Sequence, residues 1–288
     1  MPEAPVLLTS QPGIKRDGTK FEGNYYVDGR WCRFQRGKPR KMGGYQQVTD
    51  TVPEITRGMA SFSADNQQFL HLGHPNTLGQ YIVSNGTLSV FNDRTPAGFA
   101  GNVDNLWQLT MFPDVSGLGA AAIIAHAGLN NLNIDNSTAT PIFGGLVTAS
   151  GILTAASIGL SDVSGGVVAS NVYLFAYGSD GLIEQSAANN VSVAAAFTAN
   201  VSDQKIVKGL PLRGAGIGPA ALFWSLDSVI RATFNSAGPP TFAFDTIATD
   251  TSILSSQGVI EYDGIYYWPG VDRWYLYNGV VREMPNNM

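Results

Sequence analysis

One cysteine, three histidines and little charge leave few chemistries open to this chain. Cys32 has no second cysteine with which to form an intrachain disulfide or a zinc-thiolate cluster, so the fold is held by packing and hydrogen bonds. Charged residues fill only 14% of the positions, against about 25% in an ordinary soluble domain. Part of the surface is therefore neutral and polar, or part of it is covered by neighbours. No run approaches the roughly 20 apolar residues that cross a bilayer. APVLL near the start is five residues long and precedes Lys15 and Arg16 instead of following a basic stretch, so neither a signal peptide nor a membrane anchor is expected.

Helical periodicity is also scarce. The nearest approach, LTMFPDVSGLGAAAIIAHA, is interrupted by Pro113, Gly117 and Gly119. A turn or two of helix around Ala194 to Ala196 is the most that composition supports. The 33 glycines and 15 prolines are scattered between short apolar runs, which is turn chemistry and not low complexity.

What the sequence does have is recurring strand pairs: an apolar run, a turn with Gly, Asn or Asp, and a second run. They are YYVDGRWCRF from Tyr25, FLHLGHPNTLGQYIVSNGTLSVF from Phe69, AIIAHAGLNNLNI from Ala122, VYLFAYGSDGLIEQS from Val172, ALFWSLDSVIRATF from Ala221 and IYYWPGVDRWYLYNGVV from Ile265. Their starts are about 44, 53, 50, 49 and 44 residues apart, the size of a four-stranded propeller blade. The expected fold is all-β and β-propeller-like, with about six blade-like units; a β-sandwich with long loops is the competing arrangement. Residues 1–60 are read as an extended basic segment and residues 61–288 as the propeller body.

The last pair concentrates Tyr266, Tyr267, Trp268, Trp274, Tyr275 and Tyr277. Alternation predicts half-buried strands closed by a two-residue turn at Asn278-Gly279, with Tyr267, Trp268, Trp274 and Tyr277 as packing anchors. A ligand-facing aromatic platform is the alternative.

Charge is divided along the chain. Residues 1–60 hold ten basic and six acidic side chains, a balance of +4, and the remainder seven and sixteen, a balance of −9. The densest run, RWCRFQRGKPRKMGGY, carries Arg30, Arg33, Arg36, Lys38, Arg40 and Lys41 with Trp31, Phe34 and Tyr45 interleaved. Three readings fit it: contact with phosphates, contact with an acidic partner surface, or a solvated edge strand guarded by charge.

Catalytic patterns are weak. His71 and His74 would project to opposite faces of a strand, which does not suit shared metal ligation. No G-x-S-x-G elbow occurs. Cys32, between Arg30 and Arg33, reads as an inward-facing small hydrophobe of an alternating strand. Glu184, Asp227, Glu261, Asp263 and Asp272 are carboxylates that a glycosidase could use, yet no spacing selects two of them. RGAGIG at 213–218 lacks a P-loop ending and a following helix, and reads as a loop. No cofactor or metal is expected.

The stretch PGIKRDGTKFEGNYYVDGRWCRFQRGKPRKMGGY resembles the N-terminal segment of tail hub, or nozzle, proteins of short-tailed bacteriophages. VYLFAYGSDGLIEQS, ALFWSLDSV and GVIEYDGIYYWPGVDRWYLYNGVVREMP are similar to successive blades of the same proteins, which are also described as stabilisers of packaged DNA. The resemblance implies a β-propeller body and a homo-hexameric ring beneath portal and adaptor rings, in contact with tail fibre or spike proteins. It implies a channel through which DNA passes without sequence-specific binding, no active site, and a virion tail component made in the host cytoplasm. On this resemblance the six cations form an intersubunit or adaptor contact. Members of that family run on well past a segment like VVREMPNNM, which leaves open whether a complete propeller closes within residues 1–288. A carbohydrate-binding adhesin and a propeller glycosidase or lyase are the other function classes the residues allow.

Overall fold

The computed structural model describes residues 13–14, 26–44, 52–64, 67–84, 87–88, 91–95, 99–101, 103–112, 121–126, 133–135, 147–148, 151–152, 162–189, 197–213 and 218–284. The chain divides into two units, Met1–Val48 with Asn286–Met288, and Thr49–Pro285.

In the first unit, β1 (Cys32–Gln35) pairs antiparallel with β2 (Lys38–Lys41). The turn between them holds Arg36 at φ 51° and Gly37 at φ 75°, the doubly positive backbone of the hairpin turn that matches strand twist. The hairpin expected over YYVDGRWCRF is thus displaced: its turn is Arg36-Gly37, and the Asp28 carboxylate instead accepts from the Gly29 N–H at 2.8 Å. Tyr26 forms an isolated bridge with Ile14 and sets its ring 5.5 Å from Phe34.

The second unit is all-β and propeller-like, with six antiparallel sheets in chain order. The first holds β3 (Gly58–Ala64), β4 (Gln67–Gly73), β5 (Leu78–Ser84), β6 (Thr87–Leu88) and β7 (Asn92–Asp93). The second holds β8 (Gln108–Phe112), β9 (Ala121–Ala125) and β10 (Asn133–Asp135), and the third is the small pair β11 (Val147–Thr148) and β12 (Gly151–Ile152). The fourth holds β13 (Gly166–Ser170), β14 (Tyr173–Tyr177), β15 (Leu182–Gln185) and β16 (Phe197–Asn200). The fifth holds β17 (Ile206–Pro211), β18 (Ala220–Ser225), β19 (Val229–Phe234) and β20 (Phe242–Ala248). The sixth holds β21 (Ile260–Tyr262), β22 (Ile265–Pro269), β23 (Trp274–Tyr277) and β24 (Val281–Glu283). The fourth, fifth and sixth sheets are simple meanders. The first strands β3, β8, β13 and β17 stand beside one another in succession, so the sheets radiate from a line of inner strands as blades do.

The core lies between blades. Phe69, Leu78, Trp107 and Ile124 join the first and second sheets. Phe175, Tyr177, Phe223 and Phe242 join the fourth and fifth, with Phe175 edge-on to Phe223 at 5.5 Å and to Phe242 at 4.9 Å. Trp224, Tyr266, Trp268 and Tyr277 join the fifth and sixth. Such ring pairs add about 0.5–1.5 kcal/mol each beyond the area they bury. β18 is buried at every position because it lies between two such layers. At Gly209 a side chain would meet Tyr177, Val168 and Phe223 at 2.8–3.0 Å. Its absence lets the Gly209 N–H donate to the Tyr177 hydroxyl at 2.8 Å.

A second turn expectation changes. β23 and β24 pair Tyr277 with Val281, so the connection is the three residues Asn278 to Val280, with Gly279 at φ 105°, and not a two-residue turn. The stretch from Pro113 to Ala120, Ala194 to Ala196, most of RGAGIG and most of the 144–166 connection lie outside the described residues. Among the described residues no helix is long and apolar enough to cross a membrane.

Candidate functional site: a cationic hairpin and an axial cavity

The six cations read from the sequence lie together on the β1–β2 hairpin and its approach, and all six are exposed. Register divides them between faces. Arg33 stands directly opposite Arg40, and Gln35 opposite Lys38, on one face; Cys32 opposite Lys41 and Phe34 opposite Pro39 lie on the other. Like charges opposed across a strand pair are destabilising, so this face is suited to an anionic partner. Among the described residues none of the six forms an ion pair. Trp31, at φ 56° and 64% exposed, stands just before β1. Cys32 is a free, half-buried thiol.

A second candidate was not legible in the sequence. The segments running into β8, β13, β17 and β21 converge at one end of the second unit, the leading end, around a cavity of about 210 Å³. Asp104, Gln108, Ser164 and Lys205 supply its polar wall, and Leu226 and Leu254 its apolar rim; these leucines are 50% and 64% exposed. Hydrogen bonds tie the loops together: Gln257 Nε2 donates to the Trp107 carbonyl at 2.8 Å, Thr251 N to the Asp227 carbonyl at 3.1 Å, and Val271 N to Ser252 Oγ at 2.9 Å. The same end carries exposed Asp104, Asp180, Asp203, Asp227, Asp250 and Asp272, so much of the body's acidity is gathered there. The sequence held only a faint trace of it, the short Asp, Asn and Ser clusters before several of the inner strands, such as Asp104-Asn105 and Asp250-Thr251-Ser252.

Three ionisable groups set the local electrostatics. Burial alone would raise the Asp162 carboxyl, but bonds from Ser164 and Ser179 outweigh it and hold the group below the ordinary carboxylate range; both backbone N–H groups donate to it at 2.7 Å. His126, buried edge-on to Phe99 at 4.9 Å and 4.8 Å from Trp107, is pushed down by burial, opposed by a bond to the Asn105 backbone. Lys208 on β17 is pushed down to about 8 by burial, and no described residue forms an ion pair with it.

The aromatic ribbon splits by register. Trp268 and Tyr277 are buried anchors, at 0% and 4% exposure, together with Tyr266 and Tyr275. Tyr267 is half-buried and Trp274 is 52% exposed, which corrects the expectation that Trp274 anchors the core. Pairing Pro269 with Trp274 and Ile260 with Tyr267 turns these residues to the opposite, outward face, alongside Ile260 and Tyr262. The carboxylates are engaged locally: Asp227 accepts from Ser225 Oγ at 2.8 Å, Glu261 faces Arg213 at 3.4 Å, and Asp272 holds Arg273 at 2.8 Å. Glu184 is buried in the fourth sheet and Asp263 sits in the β21–β22 turn at φ 53°. His71, His74 and His126 are all buried. Among the described residues no three His, Cys, Asp or Glu side chains are placed to hold a metal ion.

No protein-family model and no curated protein sequence matches the chain. Among solved structures it is similar to Raptor of Chaetomium thermophilum, at 10% identity and a TM-score of 0.46, over 80% of this chain and 20% of that one. It is also similar to BBS1N, solved in complex with ARL6DN, at 9% identity and 0.43, over 90% and 85% of the two chains. A glycoside hydrolase matches at 10% and 0.42, over 81% and 60%. The chain thus spans about a fifth of Raptor. Likeness at this level carries nothing about function, and the fold stands on the sheets themselves.

Proposed function

We propose that this chain is a structural virion protein: one subunit of a hexameric tail hub or nozzle of a short-tailed bacteriophage, set below the portal and adaptor rings. It retains packaged DNA and, with five other copies, forms the ejection channel. It is not an enzyme, and its place is the virion tail. The observation that carries this reading is the exposure of Arg30, Arg33, Arg36, Lys38, Arg40 and Lys41 together on one hairpin and its approach, within the segment whose sequence resembles the opening of those proteins. That hairpin is a contact with an acidic partner surface, on the adaptor ring or on a neighbouring subunit. The body's balance of −9 beyond residue 60 suits a channel from which the DNA backbone is repelled, so that it slides instead of sticking. The test is the mass of the purified protein by light scattering, with and without the adaptor ring. Six copies, alone or on the ring, support the reading; a monomer that ignores the ring overturns it.

One observation favours a second reading, a propeller-type carbohydrate-binding adhesin. Tyr262 and Trp274 are 74% and 52% exposed on the outward face of the sixth sheet, where flat rings are available to stack on a sugar. Glycan-array binding that disappears in Trp274→Ala would select it.

A further inference from the structure

We infer that the cationic hairpin of one copy docks on the leading end of the second unit of another copy, with Trp31 entering the axial cavity. The inference rests on the ring reading above and names the interface that would build the ring.

Two complementary surfaces carry it. On the hairpin, Arg33, Lys38 and Arg40 share a face, and exposed Trp31 lies next to them in the chain. An aromatic side chain set among arginines is the composition of an interface anchor. The opposed Arg33 and Arg40 repel one another until an anion lies between them.

On the leading end, the matching features are present in the same order. That end carries exposed Asp180, Asp203 and Asp250, of which Asp180 and Asp203 line a second pocket, and no described residue forms an ion pair with any of the three. Leu226 and Leu254, exposed aliphatic side chains, line the cavity, with Asp104 and Lys205 as the charged residues of its described lining. Exposed leucines at the cavity, with exposed aspartates on the same end, fit an aromatic residue flanked by guanidinium groups, and fit poorly the phosphate backbone of a nucleic acid. Because the hairpin and the cavity are different patches, the contact is heterologous: each copy offers one of each, and repetition generates a ring if the rotation closes.

The experiment uses the full chain and exposed positions only, so that each variant keeps the fold, checked by an unchanged melting temperature. One variant carries Trp31→Ala, Arg33→Ala and Arg40→Ala; the other carries Asp180→Asn, Asp203→Asn and Leu254→Asn. Light scattering of the wild type is expected to show a species larger than a monomer that dissociates as salt is raised. Each variant alone is expected to be monomeric, its association weakened roughly tenfold or more. An equimolar mixture of the two should stop at a dimer, because only one productive interface remains. Assembly in either variant equal to wild type overturns the docking while leaving the ring reading standing. A wild type that is monomeric at every concentration, with or without the adaptor ring, overturns both.

Discussion

Gln257 and Trp107 are 150 residues apart in the chain, yet the Gln257 side-chain amide donates to the Trp107 carbonyl oxygen at 2.8 Å. The bond joins the segment that leads into the sixth sheet to the one that leads into the second, next to Ser256 and Leu106 of the cavity lining. Gln257→Leu removes it and leaves a partly buried carbonyl without that donor, at a cost of roughly 1–2 kcal/mol. The melting temperature is expected to fall by about 2–5 °C, with faster amide exchange at residues 253–259. Unchanged exchange there would mean that the loop is held by its other bonds alone.

The two tryptophans of the last sheet should behave oppositely. Trp268 is fully buried against Trp224, with ring centroids 5.6 Å apart, and Trp268→Ala should cost about 3–5 kcal/mol. Trp274 is 52% exposed, and Trp274→Ala should shift stability by no more than about 0.5 kcal/mol. Chemical denaturation of the pair checks both; equal losses would contradict the register.

Lys208 gives a signed pH dependence. Its ammonium is lowered by burial from 10.5 to about 8, so between those values the unfolded chain holds a proton that the folded chain lacks. Stability therefore rises as pH climbs through that window, and the full cost of burying the charge is present below it. Lys208→Met should stabilise the fold by up to about 3 kcal/mol at neutral pH, and the gain should shrink as pH approaches the ordinary lysine value. Melts at neutral and alkaline pH test this; a gain independent of pH would place the ammonium in solvent.

Asp162 works in the other direction. Its carboxyl is held below the ordinary 3.8, so its contribution is present above that value and is lost as pH falls through the folded-state pKa. Asp162→Asn should lower stability at neutral pH by roughly 1–3 kcal/mol. Below the folded-state pKa, where the wild-type carboxyl is also neutral, the two proteins should converge.

Gly209→Ala should be disproportionately harmful for one methyl group. The new carbon would press on Tyr177, Val168 and Phe223 and lengthen the bond from the Gly209 N–H to the Tyr177 hydroxyl. Overpacking of this kind costs about 1–3 kcal/mol, visible as a reduced denaturation midpoint.

The sequence disclosed the blades through their middle hairpins. FLHLG with LGQYIVS, and ALFWS with VIRATF, are apolar pairs around turn residues, and they became β4–β5 and β18–β19. The inner strands were hidden because they are compositionally mixed: GMASFSA and IVKGLP carry Gly, Ser and Lys where inner strands crowd together. β17 also contains a register shift between Ile206 and Lys208, which breaks the alternation a pattern search relies on. The cationic run was plain in the sequence, but which cations share a face depended on a turn at Arg36-Gly37. The ribbon's aromatics were read as one group because spacing alone did not reveal that Trp274 pairs with Pro269. The cavity was invisible for a simpler reason: each of its loops contributes only a few short polar residues, and only the radial arrangement brings them together.

The facing of Arg33 and Arg40 also governs the thermodynamics of whatever covers that hairpin. Two guanidinium groups held side by side in water gather a local excess of small anions, and a partner that replaces those anions returns them to bulk solution. Association there should accordingly be driven by entropy, with little heat released in dilute buffer. The logarithm of its equilibrium constant should fall along a straight line against the logarithm of salt concentration, by the counterion-release logic familiar from polyelectrolytes.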